Sequence, residues 1–293
     1  MSASARVPIP FPDAAAGWSV ARRVDVGGIS VRFREAGRGP AIVLAHGLGM
    51  SADYWWRNGP ALAASGFRVL APDFPGFGST GRPAGGLSVP DQARFLAGFS
   101  DAVQAGPATY VGHSLSCQAA LHLAAEQPAR VRALVLASPT GDPRPGRMAR
   151  EAWGFFLDAF REPPSIIPVV ASAYLRTGVR HYLGTWLAGA RHDVFALLLR
   201  VRAPTLVLVG DRDPVAPIPL ARALADGLPN GRLGIIHGGA HALIYDRPER
   251  FNRWVRAFLT RVLASDEVAS PDSFAPLAAA ASIDPGDAVD AID

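Results

Sequence analysis

Short apolar runs alternate with helix-like segments over most of this 293-residue chain, and few architectures accommodate that alternation. Six runs are apolar at successive positions and end at Gly, Pro or a polar residue: AIVLAHG, FRVLAPD, ATYVGHS, VRALVLASP, APTLVLVGD and GRLGIIHG. Runs of this kind are typical of strands buried on both faces. Strands that alternate with helices predict a mainly parallel sheet covered on both sides.

Two more strands precede these runs. WSVARRVDV and ISVRFREAG flank a Gly-Gly pair, which indicates a hairpin. The fold class predicted is therefore α/β, with a mostly parallel, doubly wound sheet of eight strands. Helices are predicted between the strands, at residues 52–65, 89–105, 115–127, 217–227 and 247–263.

The alternation is broken once, after the sixth strand. Residues 138–202 carry many aromatic side chains and helical patches but no run that resembles a strand. We predict a helical cap inserted at about 140–200, over the carboxyl edge of the sheet. The domain boundaries expected are a flexible segment at 1–17, one domain at 18–263, and a disordered tail at 264–293 because that stretch is acidic and low in complexity.

Composition removes several classes of function. All 29 basic residues are arginine, and without lysine there is no Schiff base, pyridoxal phosphate anchor or P-loop lysine. The single cysteine, Cys117, excludes an internal disulfide and a multi-thiolate metal site. The arginines are scattered, so we expect no nucleic-acid partner. No apolar run is long enough for a membrane span and no signal-peptide core is visible, which predicts a cytoplasmic protein of undetermined oligomeric state.

Residues 112–116, GHSLS, form a candidate nucleophile turn between a strand and a helix. The sequence departs by one residue from G-x-S-x-G, the sharp turn that exposes a nucleophilic serine. Ser116 replaces the final glycine, which is expected to strain the turn without forbidding it; its hydroxyl is also a candidate donor near an oxyanion. By itself this match does not distinguish a nucleophile from an ordinary strand end.

A serine hydroxyl needs a histidine to take its proton and a carboxylate to orient that histidine. Candidates follow the last two strands in the order serine, acid, histidine. Asp211 and Asp213 both follow TLVLVG, and His237 and His241 both lie in or after RLGIIHGGA. The two histidines are spaced i, i+4, but the intervening glycines disfavour a metal-binding helix.

Five motifs in this order resemble the α/β-hydrolase superfamily over about residues 18–263. They are HGLG at 46–49, DFPGFGST at 73–80, GHSLS at 112–116, GDRDPVAP at 210–217 and GGAH at 238–241. The resemblance implies the fold, the cap and a hydrolytic site without a cofactor or a metal.

Residue roles follow from matching these motifs one by one. Ser114 is the predicted nucleophile, Asp213 the acid and His241 the base, and the backbone N–H groups of Leu48 and Leu115 are the predicted oxyanion hole. Asp211 is expected to cap its loop or meet a surface base.

The remaining polar and aromatic candidates are given structural roles. His237 is expected to be a hydrogen-bonded structural residue, His46 to hold the oxyanion loop, and His113 and Cys117 to pack beneath the turn. The 73–76 segment is expected to be a structural loop. Trp153, Phe156 and Phe160 form an i, i+3, i+7 stripe, predicted either to pack the cap on the body or to line an apolar pocket.

A serine at position 114 excludes the members of this fold that use a nucleophilic aspartate. The activity predicted from the resemblance is carboxylesterase-like hydrolysis, class EC 3.1.1, of a small or medium, largely apolar substrate through an acyl-enzyme. Carbon–carbon bond hydrolysis and cofactor-free perhydrolysis use the same triad and stay open. A ligand-binding protein without turnover is the alternative outside enzymology.

Overall fold

The structure, a computed structural model, describes residues 18–19, 21–81 and 86–268. Its strands form one eight-stranded sheet: β1 Arg22–Val26, β2 Ile29–Ala36, β3 Ala41–Ala45, β4 Arg68–Pro72, β5 Ala108–His113, β6 Val131–Ala137, β7 Thr205–Gly210 and β8 Gly231–Ile236. The strand order is β1-β2-β4-β3-β5-β6-β7-β8. β2 is antiparallel to both neighbours and every other pair is parallel, which confirms the predicted fold class.

Side chains of the central strands point alternately into two cores. Tyr110 and Leu134 pack into one hydrophobic cluster, whereas their chain neighbours Val111 and Val135 pack into another on the opposite face. Period-two alternation places successive strand residues on opposite faces of a sheet. Because both faces are apolar, the strands read as continuous apolar runs in the sequence.

Helices cover both faces of the sheet. They are α1 Gly59–Ala64, α2 Val89–Ala102, α3 Ser116–Glu126, α4 Arg147–Asp158, α5 Ile167–Thr177, α6 Val179–Arg191, α7 Ile218–Gly227, α8 Leu243–Asp246 and α9 Pro248–Val268. Buried side chains of α2, α3 and α7 contribute to the first cluster, and those of α1 and α9 to the second. The chain is therefore doubly wound around its sheet.

Of the five predicted helices, whose bounds all differ by one or more residues, two differ most from the structure. The segment predicted as one helix at 52–65 is a 3₁₀ helix at Ala52–Trp55 followed by α1, which has a proline in its first turn. Proline has no N–H for a preceding carbonyl, so a new helix starts there. At the other end, α9 continues through Val268, so residues 264–268 are helical and are not the start of a tail. The rest of that predicted tail, and the predicted flexible segment 1–17, lie outside the described residues.

The helices α4, α5 and α6 lie between β6 and β7, the interval in which a cap was predicted; we call α4–α6 the insertion. Each contacts a loop at the carboxyl ends of the strands. A Cβ added to Gly154 of α4 would lie 2.7 Å from the Pro214 carbonyl, and one on Gly189 of α6 would lie 2.1 Å from Leu115. In α5, Tyr174 packs against Gly49. The insertion therefore touches all the loops that carry predicted site residues.

No helix among the described residues is both long enough and apolar enough to cross a membrane.

Candidate active site

Ser114 occupies a sharp turn between β5 and α3. Its φ is +58°, a left-handed conformation that non-glycine residues rarely adopt and that is characteristic of strained functional turns. A Cβ at Gly112 would lie 2.8 Å from the backbone nitrogen of Cys117, so the turn requires glycine at that position. The strain lifts the Ser114 side chain away from the helix that follows.

Ser116 has a structural task within the same turn. Its hydroxyl donates to the carbonyl of Ala45 at 2.7 Å and accepts the backbone N–H of His113 at 2.9 Å. The side chain thus links the ends of β3 and β5. The expectation that this hydroxyl donates toward an oxyanion is wrong, because the group is already committed to two buried backbone partners.

His241 joins Ser114 to Asp213. Its Nε2 lies 2.9 Å from Ser114 Oγ, and its Nδ1 lies 3.0 Å from Asp213 Oδ2. All three side chains are buried. Asp213 Oδ1 also accepts the N–H groups of Val215 and Ala216, both at 2.8 Å. This arrangement lets Nδ1–H donate to the carboxylate while Nε2 accepts the serine proton.

Electrostatics favour charge separation within this trio. Burial alone would lower the pKa of His241, but the neighbouring Asp213 carboxylate, with further contributions from Asp158 and Glu162, raises it above the usual value. Burial alone would raise the pKa of Asp213, but His241 and the backbone N–H of Ala216 hold it below its usual value. Asp213 is therefore the stable counter-charge for an imidazolium.

The competing acid and histidine pair with each other elsewhere. His237 Nδ1 lies 3.0 Å from Asp211 Oδ2, and Asp211 Oδ1 accepts the Gly238 N–H at 2.7 Å. The His237 side chain is largely exposed. The pair braces the loop between β8 and His241, and neither residue contacts Ser114.

Two backbone N–H groups face no acceptor. Among the described residues, those of Leu48 and Leu115 have no hydrogen-bond partner. Leu48 lies in the loop after β3, next to Gly47. Gly47 packs closely against His113: a Cβ added to Gly47 would lie 3.5 Å from the His113 carbonyl oxygen. Free N–H groups on the loops beside a nucleophile are what an oxyanion hole requires.

His46 links the loop that carries Leu48 to the loop after β4. Its Nε2 accepts the Phe74 N–H at 3.0 Å, which leaves the proton on Nδ1, 2.9 Å from the Gly47 carbonyl. Burial lowers the pKa of His46, so the ring is neutral and this tautomer is fixed. The ring is committed to structure and does not reach Ser114.

His113 and Cys117 are buried next to the turn. His113 Nε2 donates to the backbone carbonyl of His241 at 2.9 Å, and burial together with the nearby His241 lowers the pKa of His113 to about 3. The ring is therefore a neutral support for the histidine loop. Burial raises the pKa of the Cys117 thiol, which makes it an inert packing group.

The aromatic stripe on α4 faces outward. Trp153, Phe156 and Phe160 are 60%, 53% and 76% exposed and contact one another. The expectation that the stripe packs the cap on the body is therefore wrong. Phe160 lines a cavity together with Arg161, Pro163 and Arg212, and a role of the stripe in lining a substrate pocket stays a prediction. The inward face of α4 is offset by one residue, and Phe155 meets His241 edge to face at 5.4 Å.

Sequence reasoning missed three carboxylates around the histidine loop. Asp246 accepts the N–H of Ala240 at 3.0 Å, Asp158 that of His241 at 3.1 Å, and Glu162 that of Ala242 at 2.6 Å. No motif marks these acids, although the i, i+4 spacing of Asp158 and Glu162 at the end of a helix is a weak signal. Over the described residues, no group of His, Cys, Asp or Glu side chains is arranged to hold a metal ion.

Comparisons with known proteins identify the family of the chain. A sequence model of the α/β hydrolase fold matches residues 40–162. An inferred carbamate hydrolase, RutD, of Variovorax paradoxus is 32% identical, over 77% of this chain and 94% of the relative. A 2-hydroxy-6-oxononadienedioate/2-hydroxy-6-oxononatrienedioate hydrolase of Burkholderia vietnamiensis is 30% identical, over 80% and 92%.

A solved structure extends the comparison. A serine hydrolase involved in carbazole degradation is 26% identical with a TM-score of 0.69, covering 83% of this chain and 99% of that one. These relatives are named as hydrolases, and they match this chain over nearly their whole length. With its eight-stranded sheet and its nucleophile turn, the chain belongs to the α/β-hydrolase family, and hydrolysis is its class of reaction.

Proposed function

We propose that the chain is a serine hydrolase, carboxylesterase-like, that cleaves an ester-type bond of a small or medium, largely apolar substrate through an acyl-enzyme. The observation that carries this proposal is the 2.9 Å contact between His241 Nε2 and Ser114 Oγ, made by a serine at φ +58°. A strained turn that presents a buried hydroxyl to an oriented imidazole has a use in nucleophilic catalysis.

The mechanism follows from the hydrogen bonds. Ser114 Oγ attacks the substrate carbonyl carbon while His241 Nε2 takes its proton, and Asp213 stabilises the imidazolium formed. The oxyanion of the tetrahedral intermediate accepts from the N–H groups of Leu48 and Leu115, each worth roughly 10²–10³ in rate. His241 then protonates the leaving group. It next takes a proton from the water that hydrolyses the acyl-enzyme.

The charges around the site support an uncharged substrate. Asp158 and Glu162 both hydrogen-bond the His241 loop, and Glu151 on α4 is close enough for its pKa to respond to His241. Phe155 adds an aromatic edge beside the histidine. An anionic acyl group would be repelled by the Asp158 carboxylate, whereas an apolar one is not penalised.

Carbon–carbon bond hydrolysis is a second candidate because relatives at about 30% identity are named as dienedioate and 2-hydroxymuconate semialdehyde hydrolases. The same serine and histidine serve that chemistry. Substrates of this type carry carboxylates, and the acids around His241 weigh against them. We therefore place ester cleavage first.

Labelling with a fluorophosphonate tests the proposed nucleophile. Wild type is expected to form one adduct on Ser114, located by peptide mass spectrometry, and Ser114→Ala is expected to form none. His241→Ala should slow labelling strongly because the hydroxyl loses its base. If wild type stays unlabelled, or if the adduct sits on another serine, the chain is not a serine hydrolase of this kind.

A substrate panel separates the two candidate reactions. Nitrophenyl esters of increasing acyl length are assayed beside a dienoate carbon–carbon substrate. Ester turnover with a preference for uncharged acyl groups supports the proposal. Turnover of the dienoate alone would assign the chain to carbon–carbon bond hydrolysis instead.

A further inference from the structure

Three successive backbone N–H groups of the loop that carries His241 each donate to a carboxylate. Asp246 of α8 holds Ala240, and Asp158 and Glu162 hold His241 and Ala242. The latter two acids belong to the insertion: Asp158 ends α4, and Glu162 follows it by one turn. Hydrogen bonds from N–H to a carboxylate are stronger than those between neutral groups.

The backbone of His241 is held from both sides. Its N–H donates to Asp158 Oδ1, and its carbonyl accepts from His113 Nε2 beneath the nucleophile turn. These two bonds fix the peptide on which the imidazole pivots. Elsewhere the loop is braced by Asp211, which accepts the Gly238 N–H, and by the Arg212 N–H, which donates to the Gly239 carbonyl. The His241 peptide itself is held by Asp158 and His113. Its orientation therefore depends on these partners.

α4 also touches the loop that carries Asp213. A Cβ at Gly154 would lie 2.7 Å from the Pro214 carbonyl and 3.0 Å from Val215 Cα, so the helix backbone rests directly on that loop. Phe155 lies against the His241 ring. One helix of the insertion thus contacts both the acid loop and the histidine loop.

The carboxylates that hydrogen-bond the histidine loop also act on the charge of the His241 imidazole. Asp213, Asp158 and Glu162 raise the pKa of His241 against the effect of burial. Burial raises the pKa of Asp158, and burial with the nearby Asp158 raises that of Glu162 to about 8. The titratable groups around His241 are Asp213 from the β7 loop, His113 from β5, Glu151 and Asp158 from α4, Glu162 after α4, and Asp246 from α8.

We propose that Asp158 and Glu162 are positioning residues for His241, through which the insertion holds the catalytic histidine in the orientation that Ser114 requires. The inference rests on the proposed function and deepens it. Asp158 acts through position and charge, since its carboxylate also stabilises the imidazolium. Glu162 acts through position at pH 7, where a carboxyl with a pKa of about 8 is mostly neutral.

Paired substitutions separate position from charge. Asp158→Ala removes both, and kcat for a nitrophenyl ester is expected to fall about 10- to 100-fold with a smaller change in KM, the range of a lost charged hydrogen bond. Asp158→Asn keeps an amide oxygen that accepts the His241 N–H and should recover most of kcat. Glu162→Gln should match wild type at pH 7, whereas Glu162→Ala should not.

The pH dependence of kcat/KM separates the charge of Asp158 from its packing, because a loss of packing alone would not shift the acid limb. Without the Asp158 charge the pKa of His241 falls, so the acid limb of kcat/KM shifts to lower pH in Asp158→Asn and Asp158→Ala alike. Asp142→Asn is the matched control: it removes one carboxylate just before α4 whose hydrogen bonds go to Arg144 and Arg150. That control should keep the wild-type limb.

An NMR titration of the His241 imidazole tests the role of Asp158 independently of the proposed function. The titration needs no turnover, so it applies even if wild type proves inactive and unlabelled, which would overturn the proposed function alone. A lower imidazole pKa in Asp158→Asn but not in Asp142→Asn supports the positioning role. An unchanged imidazole pKa, or an Asp158→Ala enzyme with wild-type kcat, would overturn it.

Discussion

Ser116 occupies the last position of the nucleophile motif, where a small residue is expected for steric reasons, and it also makes hydrogen bonds there. G-x-S-x-G predicts a small residue at each end of the turn. At Gly112 this holds, because an added Cβ would lie 2.8 Å from the backbone nitrogen of Cys117. At the other end the serine hydroxyl bridges Ala45 and His113. A glycine there would fit but would leave a buried N–H and a buried carbonyl short of a partner.

Ser116→Gly is expected to lower stability more than activity. The free energy of unfolding should fall by about 1–3 kcal/mol from the unpaired His113 N–H, with roughly 0.5–1 kcal/mol more from glycine in a helix. Urea unfolding measures the loss. Ester turnover per folded molecule should stay near wild type.

Ser116→Ala isolates the hydrogen bonds from the glycine effect and should account for most of the loss. Ser114→Ala is the reverse case: turnover should be abolished, and stability should stay near wild type because alanine keeps the Cβ and the same backbone and loses only the hydroxyl. Equal stability of Ser116→Gly and wild type would show that the bridge contributes nothing.

As the proposed base, His241 should set the acid limb of the reaction when it is protonated. The base must be neutral, and its pKa lies above the usual 6.5 because Asp213 and the other carboxylates outweigh burial. kcat/KM for an uncharged ester should therefore fall as pH drops, with a midpoint above 6.5 in the free enzyme. Asp213→Asn should lower both the midpoint and the rate. A midpoint below 6.5 in wild type would show that burial dominates.

At the scale of elements, α4 is the helix whose role differs most from expectation. Its aromatic stripe indicates an apolar contact face, yet those rings are exposed and the buried positions are Gly154 and Asp158. An amphipathic pattern identifies the inward face only when that face packs on an apolar core. α4 lies on loops that are rich in backbone polar groups, so a glycine and a carboxylate face inward.

Gly154→Ala tests the close contact between α4 and the loop that carries Asp213. Alanine in a helix usually gains about 1 kcal/mol over glycine, but here its Cβ would lie 2.7 Å from the fixed Pro214 carbonyl. Overpacking of this kind costs about 1–3 kcal/mol. We expect lower thermal stability and a lower kcat, since the shift moves the loops of Asp213 and His241.

Gly184→Ala in α6 is the matched control, because its Cβ would meet Gly86 at an ordinary 3.4 Å. That variant should be neutral or slightly stabilised. If both alanine variants behave alike, α4 does not press on the acid loop.

Across the whole molecule, the sheet was predictable and the details of the insertion were not. Continuous apolar runs mark strands buried on both faces, so strand number, order along the chain and fold class follow from the sequence. The positions of Ser114, Asp213 and His241 were also predictable, because each follows a strand at the carboxyl edge of the sheet. Asp158 and Glu162 were not, since their partners are backbone groups, which leave no mark in a sequence.

A buried charge network links β2 to the loops that follow β3 and β4. Arg32 on β2 contacts Asp53 at 2.7 Å and Asp73 at 3.1 Å, and Arg34 contacts Asp53 at 2.8 Å. Asp73 also accepts the N–H groups of Ala52 and Ser79. All four charged side chains are buried, so each charge depends on its partners.

Asp73→Asn should therefore destabilise the molecule as a whole. It leaves two buried guanidinium groups with one carboxylate, and breaking such a pair costs about 3–5 kcal/mol. At about 2–4 °C per kcal/mol for a domain of this size, calorimetry should show Tm lowered by roughly 10 °C in a single transition. Glu35→Gln, which removes a mostly buried carboxylate whose partners Arg22 and Arg68 are more exposed, should cost less, about 1 kcal/mol. Equal losses in the two variants would mean that burial adds nothing to the network, and that β2 is held to the loops by packing alone.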